Sequence, residues 1–357
     1  MTSQNTETTH AEERNENVLL GKLNWRNILS GIAILTISLV LLYFALSGTD
    51  WATLISTVQT GDWRWLLATI GMLTTSYTVR SIRWRVLLEQ DKSLPFKKMF
   101  GATIIGYLGN AFLPARSGEL LKTVTVKRSL GIPMVLALTT IFTERLLDAA
   151  FLVIMALIII AQIDAIPDWL QSATQIMGIL GFVALVILFL VPYFAPTVKR
   201  LLSKMPLRDT LQDIIVSLMD KLVAGIRVLH EPSRAFKFGI LTLVAWSTDL
   251  AIGLFISQAF GLSMGVVPVI LITVALGLSS AIPSTPGYVG VYQFVAVTVL
   301  SQFGYTQEEA LIFVFILQLM EYTTLLLWSL PSLALTGRKQ DKITSPISQS
   351  RLSSPTT

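Results

Sequence analysis

Two stretches of this chain interrupt long apolar runs with one shared spacing: Leu113-Pro114-Ala115-Arg116-Ser117-Gly118 and Ile282-Pro283-Ser284-Thr285-Pro286-Gly287. Each is a Pro-x-x-x-Gly break, and 169 residues separate the two. Proline removes a backbone donor and glycine relaxes the backbone, so neither run can continue as one straight helix. In a bilayer, irregular backbone survives only where it is buried in protein or lines a cavity. Paired breaks in corresponding places of two halves mark the binding site of transporter-like folds. The fold must therefore bring both breaks inside.

Apolar runs of about 20 residues recur along the chain, enough to span a bilayer as helices. Of its 357 residues 53% are hydrophobic and 14% charged, where a soluble domain carries about 25% charged. The expected class is an all-α polytopic membrane protein. There is no cysteine, and the histidines are His10, in a polar tail, and His230, in a basic loop. Disulfides, thiolate chemistry and a histidine metal centre are excluded, and no metal or cofactor is expected. The net charge of +5 comes from basic residues beside apolar spans, which points to topology and anionic lipid rather than nucleic acid.

Full spans are expected at 28–46, 64–83, 134–162, 174–195, 238–260 and 310–335, with interrupted runs at 99–126 and 266–303. Residues 1–20 and 338–357 read as disordered polar tails around a membrane domain at 21–337. Lys22 and Arg26, Arg80 to Lys98, Lys122 to Arg128, Lys199 to Lys237 and Arg338 to Lys342 mark one side. The loops 47–63, 163–173, 261–265 and 304–309 have no Lys or Arg. Both termini are thus expected in the cytoplasm, with the chain in the plasma membrane. Run 99–126 is basic at both ends and should form a hairpin re-entering from inside; run 266–303 should dip in from outside. The expectation is two inverted repeats, about 28–162 and 174–335, each of three spans and one broken hairpin, eight hydrophobic segments in all. Eight full crossings would satisfy the same charge pattern. Residues 197–237, with Leu207, Leu211, Ile214, Leu218 and Leu222 spaced by three and four, read as a cytoplasmic amphipathic helix.

Charges at bilayer depth are costly and need partners or a polar cavity. Arg116, Glu119 and Lys122 surround the first break, and Glu144, Arg145 and Asp148 lie within the third full span. Glu144 and Asp148 share a helix face, with Arg145 turned away by about 100°. The spacing suggests Arg116 on Glu144 or Asp148, and Arg145 on Glu119. This set would either lock hairpin to helix or line a vestibule in which Arg116 and Arg145 grip a phosphate. Asn110 would add a hydrogen bond to a headgroup. Asp249, Glu321 and Gln293 form a secondary polar set, and Pro114, Gly118, Pro283, Pro286, Gly287 and Gly290 would shape the breaks as gates. Ser279, Ser280, Ser284 and Thr285 give the second break hydroxyls but no cation; close packing of small residues explains it equally. Arg80, Arg83 and Trp84 read chiefly as an interfacial anchor.

Together these motifs resemble the transmembrane module of the lysylphosphatidylglycerol synthase/flippase family. The matching residues are Arg80-x-x-Arg83-Trp84-x-x-Leu87-Leu88, Gly109-Asn110-x-x-Leu113-Pro114-Ala115-Arg116-x-Gly118-Glu119, Glu144-Arg145-x-x-Asp148 and Pro283-x-x-Pro286-Gly287-x-x-Gly290. The resemblance runs from about 20 to 337. It implies movement of phospholipids between leaflets, or a part in polyprenyl-phosphate metabolism. Where the family often has Glu after the second break, this chain has Gln293, which argues against a proton- or cation-coupled role at that position. The resemblance reaches no soluble aminoacyl-transfer domain, so synthesis of lysyl-lipid is not expected of this chain alone.

The expected function is a flippase for a phospholipid or polyprenyl-phosphate lipid, with membrane lipids as partners and no catalytic residue assigned. A lipid-modifying enzyme is the protein partner such a module would serve. A transferase using Glu119, Glu144 or Asp148 as general base, or an accessory membrane subunit, are the alternatives.

Overall fold

The computed structural model describes residues 25–88, 94–113, 117–160, 230–280 and 285–337, with scattered positions between 179 and 223. Both tails, most of the span expected at 174–195 and of the amphipathic segment 197–237, and Pro114, Arg116 and Pro283 lie outside the described residues. The described residues are helical without a strand: α1 (Trp25–Leu46), α2 (Trp51–Gln59), α3 (Trp63–Leu88), α4 (Phe96–Phe112), α5 (Gly118–Leu130), α6 (Met134–Ile160), α7 (Pro232–Ala259), α8 (Val266–Ser279), α9 (Val291–Ser301) and α10 (Gln307–Gly337). A single 3-10 turn, Pro286–Tyr288, precedes α9.

Two described helices, Pro232–Ala259 and Gln307–Ala334, are long and apolar enough to cross a membrane, and a third crossing results if Leu35–Leu46 and Trp51–Gln59, bent by 85°, form one span. At 26 and 27 residues, α3 and α6 are as long, but they carry the charges described below. The four helices flanking the breaks have 17, 13, 14 and 11 residues, each short of the about 20 that a crossing needs. Where the sequence suggested a loop at 47–63, the structure has α2. Its signal was Asp50, whose carboxylate caps the helix by accepting from the Ala52 and Thr53 amides at 3.0 and 3.3 Å. The Gln307 amide donates to the Ala45 and Ser47 carbonyls at 2.7 and 3.0 Å, tying this elbow to the start of α10.

The starts of α3, α4, α5 and α6 recur at α7, α8, α9 and α10 after 169 to 173 residues. The packing follows the same correspondence: α3 lies along its counterpart α7, α4 packs on α10 as α8 packs on α6, and each broken run folds back on itself. The main core joins Ile104 of α4, Ile252 and Ile256 of α7, Ile272 of α8, Leu300 of α9 and Phe313 of α10. Apolar side chains on α1, including Leu35, Ile37, Leu39 and Phe44, face outward, as expected of a helix whose surroundings are lipid.

Candidate functional site

The tips of the two broken runs meet. At the first, α4 and α5 cross so closely that a Cβ on Gly109 would lie 2.6 Å from the Gly118 Cα, so Gly118 is a packing contact between the arms rather than a hinge. At the second, Gly287 and Gly290 have φ of 68° and 90°, and Tyr288 between them φ of 62°. Non-glycine residues rarely adopt such values, so this backbone is held by its surroundings. A Cβ on Gly287 would run into the Tyr322 hydroxyl and come within 3.2 Å of the Ala111 carbonyl, on the opposite tip.

Between the tips is a cavity of about 260 Å³. Its polar lining comes from five helices: Arg80 of α3, Asn110 of α4, Arg145 and Asp148 of α6, Asp249 of α7 and Glu321 of α10. Tyr77, Tyr107, Tyr288 and Tyr322 add an aromatic wall, with Tyr77 and Tyr107 ring centroids 5.2 Å apart. Two buried polar atoms of the lining residues, Asn110 Oδ1 and Trp246 Nε1, have no hydrogen-bond partner among the described residues. Asn110 Oδ1 is turned to the other arm of the first break, where a Cβ on Gly118 would lie 2.6 Å from it.

Three sets of charges surround it. Arg83 is fully buried and grips both acids of α6. Its Nη2 donates to Glu144 Oε1 at 2.7 Å, and Nη1 and Nη2 donate to the two Asp148 oxygens at 2.5 and 2.8 Å. Lys122 of α5 adds an ion pair to Glu144 at 3.7 Å and lies 3.9 Å from the Trp84 ring centroid. The second set is Arg80 with Asp249; Ser76 donates to the same carboxylate at 2.9 Å, and the guanidinium stacks on Trp246 at 5.1 Å. These two residues are 169 apart, the interval that separates the breaks. The third is Arg145, whose Nε donates to Glu119 at 3.1 Å, with the two side chains 35% and 28% exposed.

Several expectations are corrected by this geometry. Glu144 and Asp148 are held by Arg83, whose planar fork reaches two carboxylates at once, while Arg116, the expected partner, lies outside the described residues. Neither Arg83 nor Trp84 is an interfacial anchor: Trp84 is fully buried and donates to Thr140 Oγ1 at 3.1 Å, and Arg80 is buried against Asp249. Basic and aromatic residues ending a span look like an anchor until the acids of another helix are placed opposite. Gln293 is not a ligand of the cavity but a buried strut. It accepts from the Gly290 amide at 2.7 Å and donates to Gln318 at 2.6 Å, which in turn donates to the Gly287 carbonyl at 2.7 Å. Pro286 opens the 3-10 turn of the break. The Arg145–Glu119 pair is the one that the spacing suggested. The Arg80–Asp249 pair and the tyrosine wall were missed, although the shared interval of 169 was readable.

Residues 28–329 match the transmembrane region of lysylphosphatidylglycerol synthases. The chain belongs to that family. Membership makes it a membrane protein with a lipid-related function. The chain is also 21% identical over 304 residues to a protein named glycosyltransferase AglD, of Haloferax volcanii. That alignment covers 75% of this chain and 47% of the relative, so this chain spans about half its length. No solved structure matches the chain.

Proposed function

We propose that this family member is a flippase, passing the headgroup of a phospholipid or polyprenyl-phosphate lipid through the cavity between its two breaks. The observation that carries the reading is the convergence of both breaks on one polar cavity, lined by Arg80, Arg145, Asn110 and Glu321. About 260 Å³ suits a headgroup and not a two-chain lipid, since pockets for drug-sized ligands are already about 300–1,000 Å³. The tails would stay in hydrocarbon, sparing the protein the cost of enclosing them. Arg145, partly exposed and held by one acid, is the cation free to exchange that acid for a phosphate; Arg83, locked on two, is a structural tie. Arg116 remains proposed as a second phosphate contact beside it.

The same reading includes two inverted repeats with re-entrant broken runs, both termini cytoplasmic, in the plasma membrane. It is supported by the recurrence of helix starts after 169 to 173 residues and by the arms of each run being too short to cross. An odd number of crossings per half inverts the second half, and Arg80 and Asp249, at matching positions, then meet where the halves face each other.

A transferase is the second reading, favoured by the printed name of the Haloferax volcanii relative. Against it, Glu144 and Asp148 accept from Arg83 and Glu119 from Arg145, which leaves those acids poorly placed to take a proton from a substrate. Reconstitution in liposomes with fluorescent phospholipids and polyprenyl phosphates separates the readings. Headgroup translocation by the wild type, reduced in Arg145→Ala with folding retained, supports the flippase. Product formed from a supplied sugar donor, with no translocation, overturns it.

A further inference from the structure

One acid of the cavity stands apart. Glu321 lines it together with Asp249, yet the guanidinium beside them is bound to Asp249, and Glu321 has no hydrogen bond or ion pair among the described residues. The cavity's other cation, Arg145, is paired with Glu119, and the groups facing Glu321 include no cation but Arg80. They are Tyr77 and Arg80 from α3, Asp249 from α7 and Tyr107 from α4. The second break adds Tyr288 and Tyr292, and α10 itself adds Tyr322. Of the charged residues on α5, Lys122 is held by Glu144 and Glu119 holds Arg145; α2 has no titratable residue.

An ionised carboxylate whose nearest cation is already bound to another acid is unfavourable in a buried cavity, and a second anion beside it is more so. A phosphate-bearing headgroup brings that second anion. Resting on the flippase reading, we propose that Glu321 is a proton-binding position of the headgroup cavity, so that one proton enters with each anionic headgroup. The balance is one carboxylate, one proton and one phosphodiester anion giving a carboxylic acid beside the bound anion, with the net charge of the filled cavity unchanged from its empty, ionised state. No other ligand group is needed for a proton, whereas a metal ion would want several: no cluster of three metal-ligating side chains occurs among the described residues.

The test uses the full chain in liposomes containing fluorescent phosphatidylglycerol, a phosphodiester whose own charge is constant across the range from about pH 5 to pH 9. Binding linked to one proton strengthens by up to about tenfold per unit fall in pH above the Glu321 titration and flattens below it. Glu321→Gln, neutral at every pH, should bind at the wild-type low-pH level throughout, and Glu321→Asp should keep a pH dependence. Wild-type binding that is flat with pH, or an unchanged slope in Glu321→Gln, overturns the inference and leaves the flippase standing. Replacing sodium by a bulky organic cation at constant pH should change nothing; a loss of binding would overturn the proton in favour of sodium. Absence of binding and translocation at every pH overturns the flippase reading and this inference together.

Discussion

Around Gly118 the broken run is held by charge, and around Gly287 by amides. At the first break, α5 is tied to α6 through Lys122 and Glu144 and through Glu119 and Arg145, with Arg83 beneath them. At the second, among the described residues, Gln293, Gln318 and Tyr322 hold the carbonyl and amide of a backbone bent into left-handed conformations. The two solutions differ in what they leave available. The side-chain amides of Gln293 and Gln318 are used on the backbone of the second break and on each other. On the proposed reading, the ion pair at a partly exposed position is traded, and the first break gives up Arg145 to an incoming anion. On that reading the two breaks give a fixed face and an exchangeable face to the same cavity.

The sharpest way to break that contrast is to remove the tie that should not be traded. Arg83→Ala leaves Glu144 and Asp148 buried without their main partner, and should destabilise the protein by about 3–5 kcal/mol, read as lost monodisperse protein or a lowered Tm in detergent. Gly287→Ala comes next. Its Cβ meets Tyr322 and its φ is positive, so a loss of about 1–3 kcal/mol is expected, together with slowed translocation. Gln293→Glu restores the acid common in the family but removes the donor to Gln318. A cost of about 1–3 kcal/mol would show that this residue serves the backbone; a neutral effect on Tm with altered transport would return it to the ligand site. Arg145→Ala should be the mildest for stability, at most about 1 kcal/mol for a part-exposed pair, yet the most damaging for translocation. A variant as unstable as Arg83→Ala would erase the difference between the two faces.

The parts of this picture visible in the sequence are those set by local spacing. Apolar runs gave the helices, Pro and Gly located the breaks, and the rotation of Arg145 away from Glu144 anticipated its pairing with Glu119. What could not be read depends on how helices meet. Arg83 lies 61 residues from Glu144 and Arg80 169 from Asp249, and nothing local distinguishes a paired arginine from one reaching for headgroups. Gln293 was misassigned for a related reason: its partners are backbone atoms exposed only because the break forces them out of helical geometry.

The central claim is that a lipid headgroup sits between the two breaks. A phospholipid or polyprenyl phosphate carrying a photoreactive group on its headgroup, cross-linked to the protein in liposomes and mapped by mass spectrometry, tests it directly. Labels on both tips of the cavity, near Asn110 and near Tyr288, and their loss on competition with unlabelled lipid, are the predicted result. Labels confined to outward-facing residues such as Leu35 and Phe44 of α1 would contradict it.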